Sequence, residues 1–459
     1  MSENNKQPKA SVPDYVVYAI YRLFECLLSL LPMKWVCWSG SALGYLSSLL
    51  LVERRATVTR NLRIAFGDSM SHDDIRRLTR KTFMQTGANL IASIRTATFS
   101  PEKILQSIEI TGEEHLLKTR KSEKGTICLL SHMGNWEFLA QAHLALPELK
   151  PTGTLYRPIN NPLIDALIRR RRGSQGTKVF SRRDGFFKPI AHIKEGGSLG
   201  VLADQQAGAH GLAVPLFGKL TSLTNLPAIL HRRTGAPIVP IAVSTIAPGK
   251  WKFTVYPALD IPENKQSNTV YITALCAQAY ERAMSAHPAD VLWMHGYWKT
   301  GRKRPLKIDG LQKKRTGHQR SAATHPFRVL VYTGSLSPSD TEHLNQLNRL
   351  KNYRPDLHLT TVGEHGFDCA DAHILARASD TSPKLAHQIE QYNLDQAAPA
   401  DCALDFTANA EGATIFHKAK IKRIFALIGP FQSPFTAKAF NKGDAQGLAG
   451  FLDSLGINA

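Results

Sequence analysis

Residues 125 to 138 read GTICLLSHMGNWEF. The uncharged run from Gly125 to Ser131 has the length of a buried strand, and Gly134 marks a turn before a helical start at Asn135-Trp136-Glu137. A strand that passes through a glycine turn into a helix is the repeating unit of α/β architecture. His132 then stands at the carboxyl edge of a sheet, where α/β proteins display reactive groups.

The same texture continues outward. TGTLY (Thr152 to Tyr156), GSLGVLA (Gly197 to Ala203) and APIVPIAV (Ala236 to Val243) read as further buried strands with helical patterns between several of them. This predicts an α/β layer with a mixed, mostly parallel sheet that closes near Trp298. Upstream, Arg54 to about Ser100 has helical spacing, with Leu62, Phe66, Ile75, Leu78 and Phe83 on the apolar stripe. Downstream, residues 301–325 are dense in Lys and Arg and nearly free of apolar side chains, which predicts a basic linker. A second α/β region, 326–459, opens with a strand at FRVLVYTG, a helix over Asp340 to Leu350 and a strand at LHLTTVG. KRIFALIG (Lys422 to Gly429) adds another.

A chain of 459 residues is long enough for two cores. The hydrophobic fraction of 43% excludes a polytopic membrane protein, and the formal net charge of +20 favours anionic partners. Six cysteines without paired spacing argue against a disulfide framework or a zinc module. Residues 1–55 carry two apolar stretches. Tyr15 to Leu31 is interrupted by Arg22 and Glu25, and Trp35 to Val52 has no charge and just reaches spanning length. Together they predict one membrane anchor or a helical hairpin embedded at a membrane face, with a buried helix pair as the alternative.

Local chemistry centres on His132. A Glu five residues on, across a turn, can fold back to hold one ring nitrogen and leave the other as a base, so His132 and Glu137 form the candidate catalytic pair. Arg157 follows another strand end, and Asp204 and Gln205 follow a third. Asp204 has two open roles, positioning Arg157 or the acceptor, and forming a surface turn. The run Arg169 to Arg172 ends a helical segment from Pro162 and is either a solvated helix end or an anion-binding face. Cys128 raises a thiolate route, but it lies inside an apolar strand, where a Cys is inert. No His, Asp or Glu cluster near His132 shows metal-ligand spacing.

Taken in order, these blocks resemble the lipid A biosynthesis acyltransferases of the lysophospholipid acyltransferase superfamily. HMGNWE is similar to the family's H-x4-D/E (HX4E) motif. YRP, the Asp204-Gln205 strand end, PLFG and GAPIVP follow in the family's order. ATVTRNLRIAFGD (Ala56 to Asp68) resembles its N-terminal signature and HPADVLWMHGYWK (His287 to Lys299) its closing segment. The resemblance spans roughly residues 15 to 300 and implies a 56–300 acyltransferase domain. It also implies transfer from an acyl carrier protein thioester to a lipid A precursor hydroxyl at the cytoplasmic face of the bacterial inner membrane. No cofactor is implied beyond the acyl donor. His132 is then the base, Glu137 its orienter, and Arg157, Asp204, Gln205, Asn135, Arg169 and Arg172 the substrate-binding set.

The 326–459 region resembles the N-terminal half of heptosyltransferase-type glycosyltransferases, a Rossmann-like fold. That family's Gly-Asp turn is replaced here by Ser337 to Asp340, and no second, nucleotide-sugar half is expected, so glycosyl transfer is not expected. Two roles stay open for this region, a non-catalytic module that docks sugar-bearing lipid or a partner enzyme, and an appendage that only stabilises the fold. Two other functions stay open. One is the same chemistry with acyl-CoA on another glycolipid or glycerolipid. The other is a non-catalytic basic protein of the membrane surface; nucleic acid is not an expected partner, since aromatics do not interleave with the basic clusters.

Overall fold

The uncharged run at 126–130 forms a strand, β2 (Thr126–Leu130), with all of its residues buried. The computed structural model describes residues 10–120, 124–181, 185–298 and 325–339, and much of 345–439. Chain contacts divide it into two units. The first comprises Met1–Ala56, Arg76–Gln205 and Thr224–His295, and the second Thr57–Ile75, Gln206–Leu223 and Gly296–Ala459. This partition differs from the sequence expectation of one 56–300 domain, because residues 57–75 and 206–223 group with the C-terminal region. Residues 301–324 of the predicted 301–325 linker and most of the predicted helix at 340–350 lie outside the described residues.

In the first unit a seven-stranded sheet has the order β1-β9-β8-β2-β5-β3-β4. Its strands are β1 (Ile108–Thr111), β2, β3 (Thr152–Tyr156), β4 (Lys178–Ser181), β5 (Ser198–Leu202), β8 (Ile238–Ala247) and β9 (Lys250–Val255). All neighbours run parallel except β8 and β9, which form an antiparallel hairpin. Helices α5 (Pro101–Ser107), α6 (Glu114–Arg120), α7 (Pro162–Gly173), α8 (Phe187–Lys194), α9 (Leu226–Thr234) and α10 (Thr269–Ala286) connect or flank the strands. Cys128, Leu130, Phe138, Val239, Ile241, Trp251 and Phe253 belong to one core cluster, in which the rings of Phe138 and Trp251 meet edge to face at 5.0 Å.

Ahead of the sheet come α1 (Val12–Ser29), α2 (Met33–Leu50), α3 (Val52–Phe66) and α4 (His72–Thr96). α2 lies directly on α4: a Cβ added at Gly40 or Gly44 would run into the backbone of Gly87 or Phe83. The far side of α2 exposes Trp35, Trp38, Leu46 and Leu50. α1 reverses the usual arrangement. Its only buried residues are Glu25 and Leu28, while Val12, Val16, Ile20, Leu23, Leu27 and Leu30 are exposed. No single helix among the described residues is long and apolar enough to cross a membrane; α2 and α3 meet that test only together.

The second unit holds a six-stranded, wholly parallel sheet, β12-β11-β10-β13-β14-β15. Its strands are β10 (Phe327–Gly334), β11 (Leu357–Gly363), β12 (Ala372–Leu375), β13 (Cys402–Asp405), β14 (Ile424–Ala426) and β15 (Lys438–Ala439). The chain starts in the middle, winds out to β12 and returns to β13, which is the doubly wound Rossmann-like order. Alternate residues serve two cores. Val329, Val331, Leu359 and Leu404 face one side, and Leu330, Tyr332, Val362 and Ala403 face α11 (Ser382–Asp395) and α12 (Glu411–Lys418) on the other.

Two-sided burial is expected of a parallel sheet. The same unit includes the hairpin of β6 (Leu212–Leu216) and β7 (Lys219–Leu223). Its turn places Phe217 at φ 47° and Gly218 at φ 68°, the left-handed pair a two-residue hairpin needs. Phe217 is held there by edge contacts to Phe66 and Trp298.

A buried charge cluster ties these pieces together. The Asp401 carboxylate accepts from Lys219 Nζ and Arg60 Nη2, each at 2.7 Å, and from the Arg328 backbone N–H at 2.9 Å. Arg63 crowns the C-terminus of α11, donating to the carbonyls of Asn393, Leu394 and Gln396, where a cation meets the negative end of the helix dipole. Burial opposes ionisation of Asp401, but Lys219 and Arg60 outweigh it and hold the carboxyl below its ordinary value. Its contribution is therefore complete at neutral pH and is lost as pH falls through that lowered value. Replacing Asp401 with Asn strands Lys219 and should cost about 3–5 kcal/mol in urea unfolding of the full chain. The double change Asp401→Leu with Lys219→Met should cost far less, and equal losses would contradict the pairing.

Candidate active site

β2 and β5 lie side by side in parallel, with Leu130 opposite Leu202. Two residues beyond each strand end stand His132 and Asp204, so the sheet register itself brings them together. The His132 Nδ1–H donates to Asp204 Oδ1 at 2.6 Å, and the His132 backbone N–H donates to Oδ2 at 3.0 Å. Asp204 is wholly buried and the His132 side chain is 16% exposed.

Burial disfavours charge on the ring, but the Asp204 charge and hydrogen bond, with Glu137 adding, raise His132 above the ordinary histidine value of 6.5. Burial likewise works against the Asp204 anion. The charge and hydrogen bonds of His132 prevail there, with a smaller share from His295, and hold the carboxyl low. With Nδ1 engaged, Nε2 carries the lone pair. It meets the side-chain amide of exposed Gln205 at 3.4 Å, a long contact that a substrate hydroxyl can replace.

The segment after α10 braces this turn from behind. The Gly134 N–H donates to the Asp290 carbonyl at 3.0 Å, the Leu292 N–H donates to the His132 carbonyl at 3.0 Å, and Met133 pairs with Val291. Gly134 has φ 54°, and a Cβ there would meet the Val243 carbonyl oxygen at 2.8 Å, so glycine is required. The Asp290 carboxylate accepts from Gln85, Asn89 and Thr245, which fixes the brace to α4 and β8. Asp290 to Leu292, within the stretch read from sequence only as a closing segment, thus support the His132 turn.

The sequence expectation for Glu137 does not hold in this geometry. Glu137 lies in the first turn of the 3-10 helix Trp136–Leu144. Its carboxylate instead accepts from Arg172, from Nη2 at 2.9 Å to both oxygens and from Nε at 3.3 Å. Asp204 takes the orienting position, a role the sequence reading did not give it. Asn135 is also corrected as a substrate contact. It is 1% exposed, and its amide donates to Thr96 Oγ1 at 3.1 Å, so it faces the protein interior.

Arg157 is exposed one residue past β3, on the same carboxyl edge as His132. Arg169 lies over the ring of Tyr156, and Arg171 pairs with Glu25 of α1. The arginine run is thus partly engaged within the unit rather than simply solvated. Cys128 is buried in β2 and its thiol is pushed up to about 12 by burial, which leaves no thiolate at neutral pH.

Residues 3–300 match the family described as bacterial lipid A biosynthesis acyltransferase. Among curated relatives, the lipid A biosynthesis lauroyltransferase of Escherichia coli K12 is 26% identical over 275 residues, covering 59% of this chain and 87% of its own. The palmitoleoyltransferase of the same organism is 20% identical over 274 residues with the same coverage. A phosphatidylinositol mannoside acyltransferase of Mycobacterium tuberculosis is 27% identical over 218 residues, 44% of this chain and 65% of that one. The chain is an acyltransferase and belongs to the bacterial lipid A biosynthesis acyltransferase family.

Proposed function

We propose that the chain moves a fatty acyl group from an acyl carrier protein thioester to a hydroxyl of a lipid A precursor at the cytoplasmic face of the bacterial inner membrane. The observation that carries this is the His132 ring, tied through Nδ1 to a buried carboxylate and open at Nε2. Nε2 takes the hydroxyl proton as the oxygen attacks the thioester carbonyl carbon. The tetrahedral adduct then collapses, the carbon–sulfur bond breaks, and the imidazolium returns the proton to the leaving thiolate. Asp204 stays ionised throughout and stabilises the imidazolium. No enzyme nucleophile is needed, consistent with the inert Cys128. Arg157, with Arg169 and Arg172 nearby on α7, is the proposed cationic side for substrate phosphate, and Gln205 is the group displaced on binding. The net charge of +20 suits an acidic carrier, a phosphorylated acceptor and an anionic membrane alike.

The membrane contact is assigned to α1 and α2. The inward face of α1 is polar (Asp14, Tyr18, Tyr21, Glu25) and its outward face is apolar and exposed. A water-facing helix has the opposite pattern. Lying in the interface with the outward face among acyl chains fits this arrangement, and spanning is not required. The mycobacterial relative supports a second reading, in which the acceptor is another glycolipid.

Transfer from labelled acyl carrier protein to a tetra-acylated lipid A precursor, run beside acyl-CoA and other glycolipids, distinguishes the two readings. His132→Ala should reduce turnover on the order of 10²–10⁴-fold, and robust transfer by it would overturn the mechanism. Since the base works unprotonated, activity should fall as pH drops through a midpoint above 6.5. Asp204→Asn should lower kcat and move that acid limb to lower pH; an unmoved limb would contradict the pairing. Cys128→Ala should keep full activity. The pair Ile20→Glu and Leu23→Glu should abolish pelleting with anionic phospholipid vesicles, and retained pelleting would reject the membrane surface.

A further inference from the structure

We propose that α1 acts as a strut that couples its seat on lipid to the active site, positioning Glu137 through the adjacent arginines Arg171 and Arg172 of α7. This rests on the membrane contact proposed above.

α1 grips α7 at both ends. Asn161, which caps the start of α7, donates from its side chain to the Asp14 carbonyl at 3.0 Å. In the last turn, Arg171 Nη1 pairs with Glu25 Oε1 at 2.5 Å and reaches the Tyr21 hydroxyl at 3.5 Å. The other Glu25 oxygen pairs with Arg22 Nε at 3.0 Å. A buried carboxylate is tolerated only while paired, so Glu25 stays at this depth only while Arg171 holds it, and withdrawing α1 from α7 would break that pair and leave Arg171 without its carboxylate. Arg172 is the next residue, turned by about 100° around the helix, and its Nε/Nη2 edge holds the Glu137 carboxylate. Glu137 in turn lies close enough for its charge to be felt at His132 and at Tyr21 alike.

A continuous chain of charges therefore runs from the lipid-facing helix to the flank of the base. Its links sit on consecutive residues of one rigid helical turn, so a displacement of α1 is passed on to Glu137. The His132–Asp204 pair stands outside this chain, held by the sheet register and the Asp290 brace. Glu25 is thus a positioning residue that tunes how the site receives its acceptor and reaches His132 only through the Glu137 charge.

The test uses the full chain with anionic phospholipid vesicles. Hydrogen exchange over Trp136–Leu144 and Pro162–Gly173 is measured with and without vesicles and without substrate. The intact protein should gain protection in both segments on binding. Glu25→Gln should pellet with vesicles equally well yet show no gain in Trp136–Leu144. The charge swap Glu25→Arg with Arg171→Glu should restore it, which also guards against a simple folding defect. In the transfer assay Glu25→Gln should raise KM for the acceptor about tenfold, keep kcat at its plateau and move the acid limb slightly to lower pH, and Glu25→Asp should recover most of it. Equal protection in Glu25→Gln, an unchanged KM, or a fall in plateau kcat would each overturn the coupling. Failure of the intact protein to pellet defeats the membrane reading itself. Failure to transfer with pelleting intact defeats the substrate assignment, while the exchange measurement still decides the coupling.

Discussion

The parallel register of β2 and β5 is the constraint on which the site rests. Leu130 and Leu202 are opposite one another, so the residues two positions past each strand end meet, and a wholly buried carboxylate is delivered to Nδ1 of a partly exposed histidine. Burial makes that contact strong and also obligatory. An unpaired Asp204 would be costly at this position, and an unheld His132 would lack a fixed tautomer. The rest of the first unit serves this arrangement. The Asp290 carboxylate locks the brace behind the turn, Gly134 allows the tight approach to Val243, and the 3-10 helix that follows turns Trp136 edge-on to the imidazole at 5.4 Å.

Much of this was legible in the sequence, and what was not follows one pattern. Short uncharged runs bounded by glycine and polar residues marked β2, β3, β5 and β8 to within a few residues. His132 was legible because a strand end is visible locally. Its partner was not, because β3 and β4 intervene in the chain between β2 and β5, and adjacency in a sheet is not written in sequence spacing. Glu137 was the attractive choice because it is near in sequence, and a tight 3-10 turn then aims it at Arg172. The alternation of KWKFTV, exposed and buried by turns in β9, was a usable strand signal that passed unread. Arg22 and Glu25 read as interruptions of an apolar stretch. In three dimensions Glu25 lies on the inner face, and the helix is inverted rather than broken.

The second unit shows the same dependence on remote partners. Three of its strands, β10, β11 and β14, were suggested by texture, whereas its cohesion rests on residues far upstream. Asp401 takes its counter-charges from Lys219 and Arg60, and the end of α11 is closed by Arg63. The Rossmann-like region is therefore not a detachable appendage: cutting it away would leave Lys219, which is almost wholly buried, without its carboxylate.

The inverted helix also has a bearing on how the protein is made. Synthesis runs from α1 toward α7, so the apolar face of α1 leaves the ribosome long before Arg171 exists to receive Glu25. During that interval Glu25 and Tyr21 have no fold to turn toward, and the exposed leucines and valines favour early adsorption to the nearest bilayer. On the proposed membrane contact, the nascent chain would then reach the membrane first and complete its catalytic domain there, with the arrival of α7 converting a loosely adsorbed segment into a docked one.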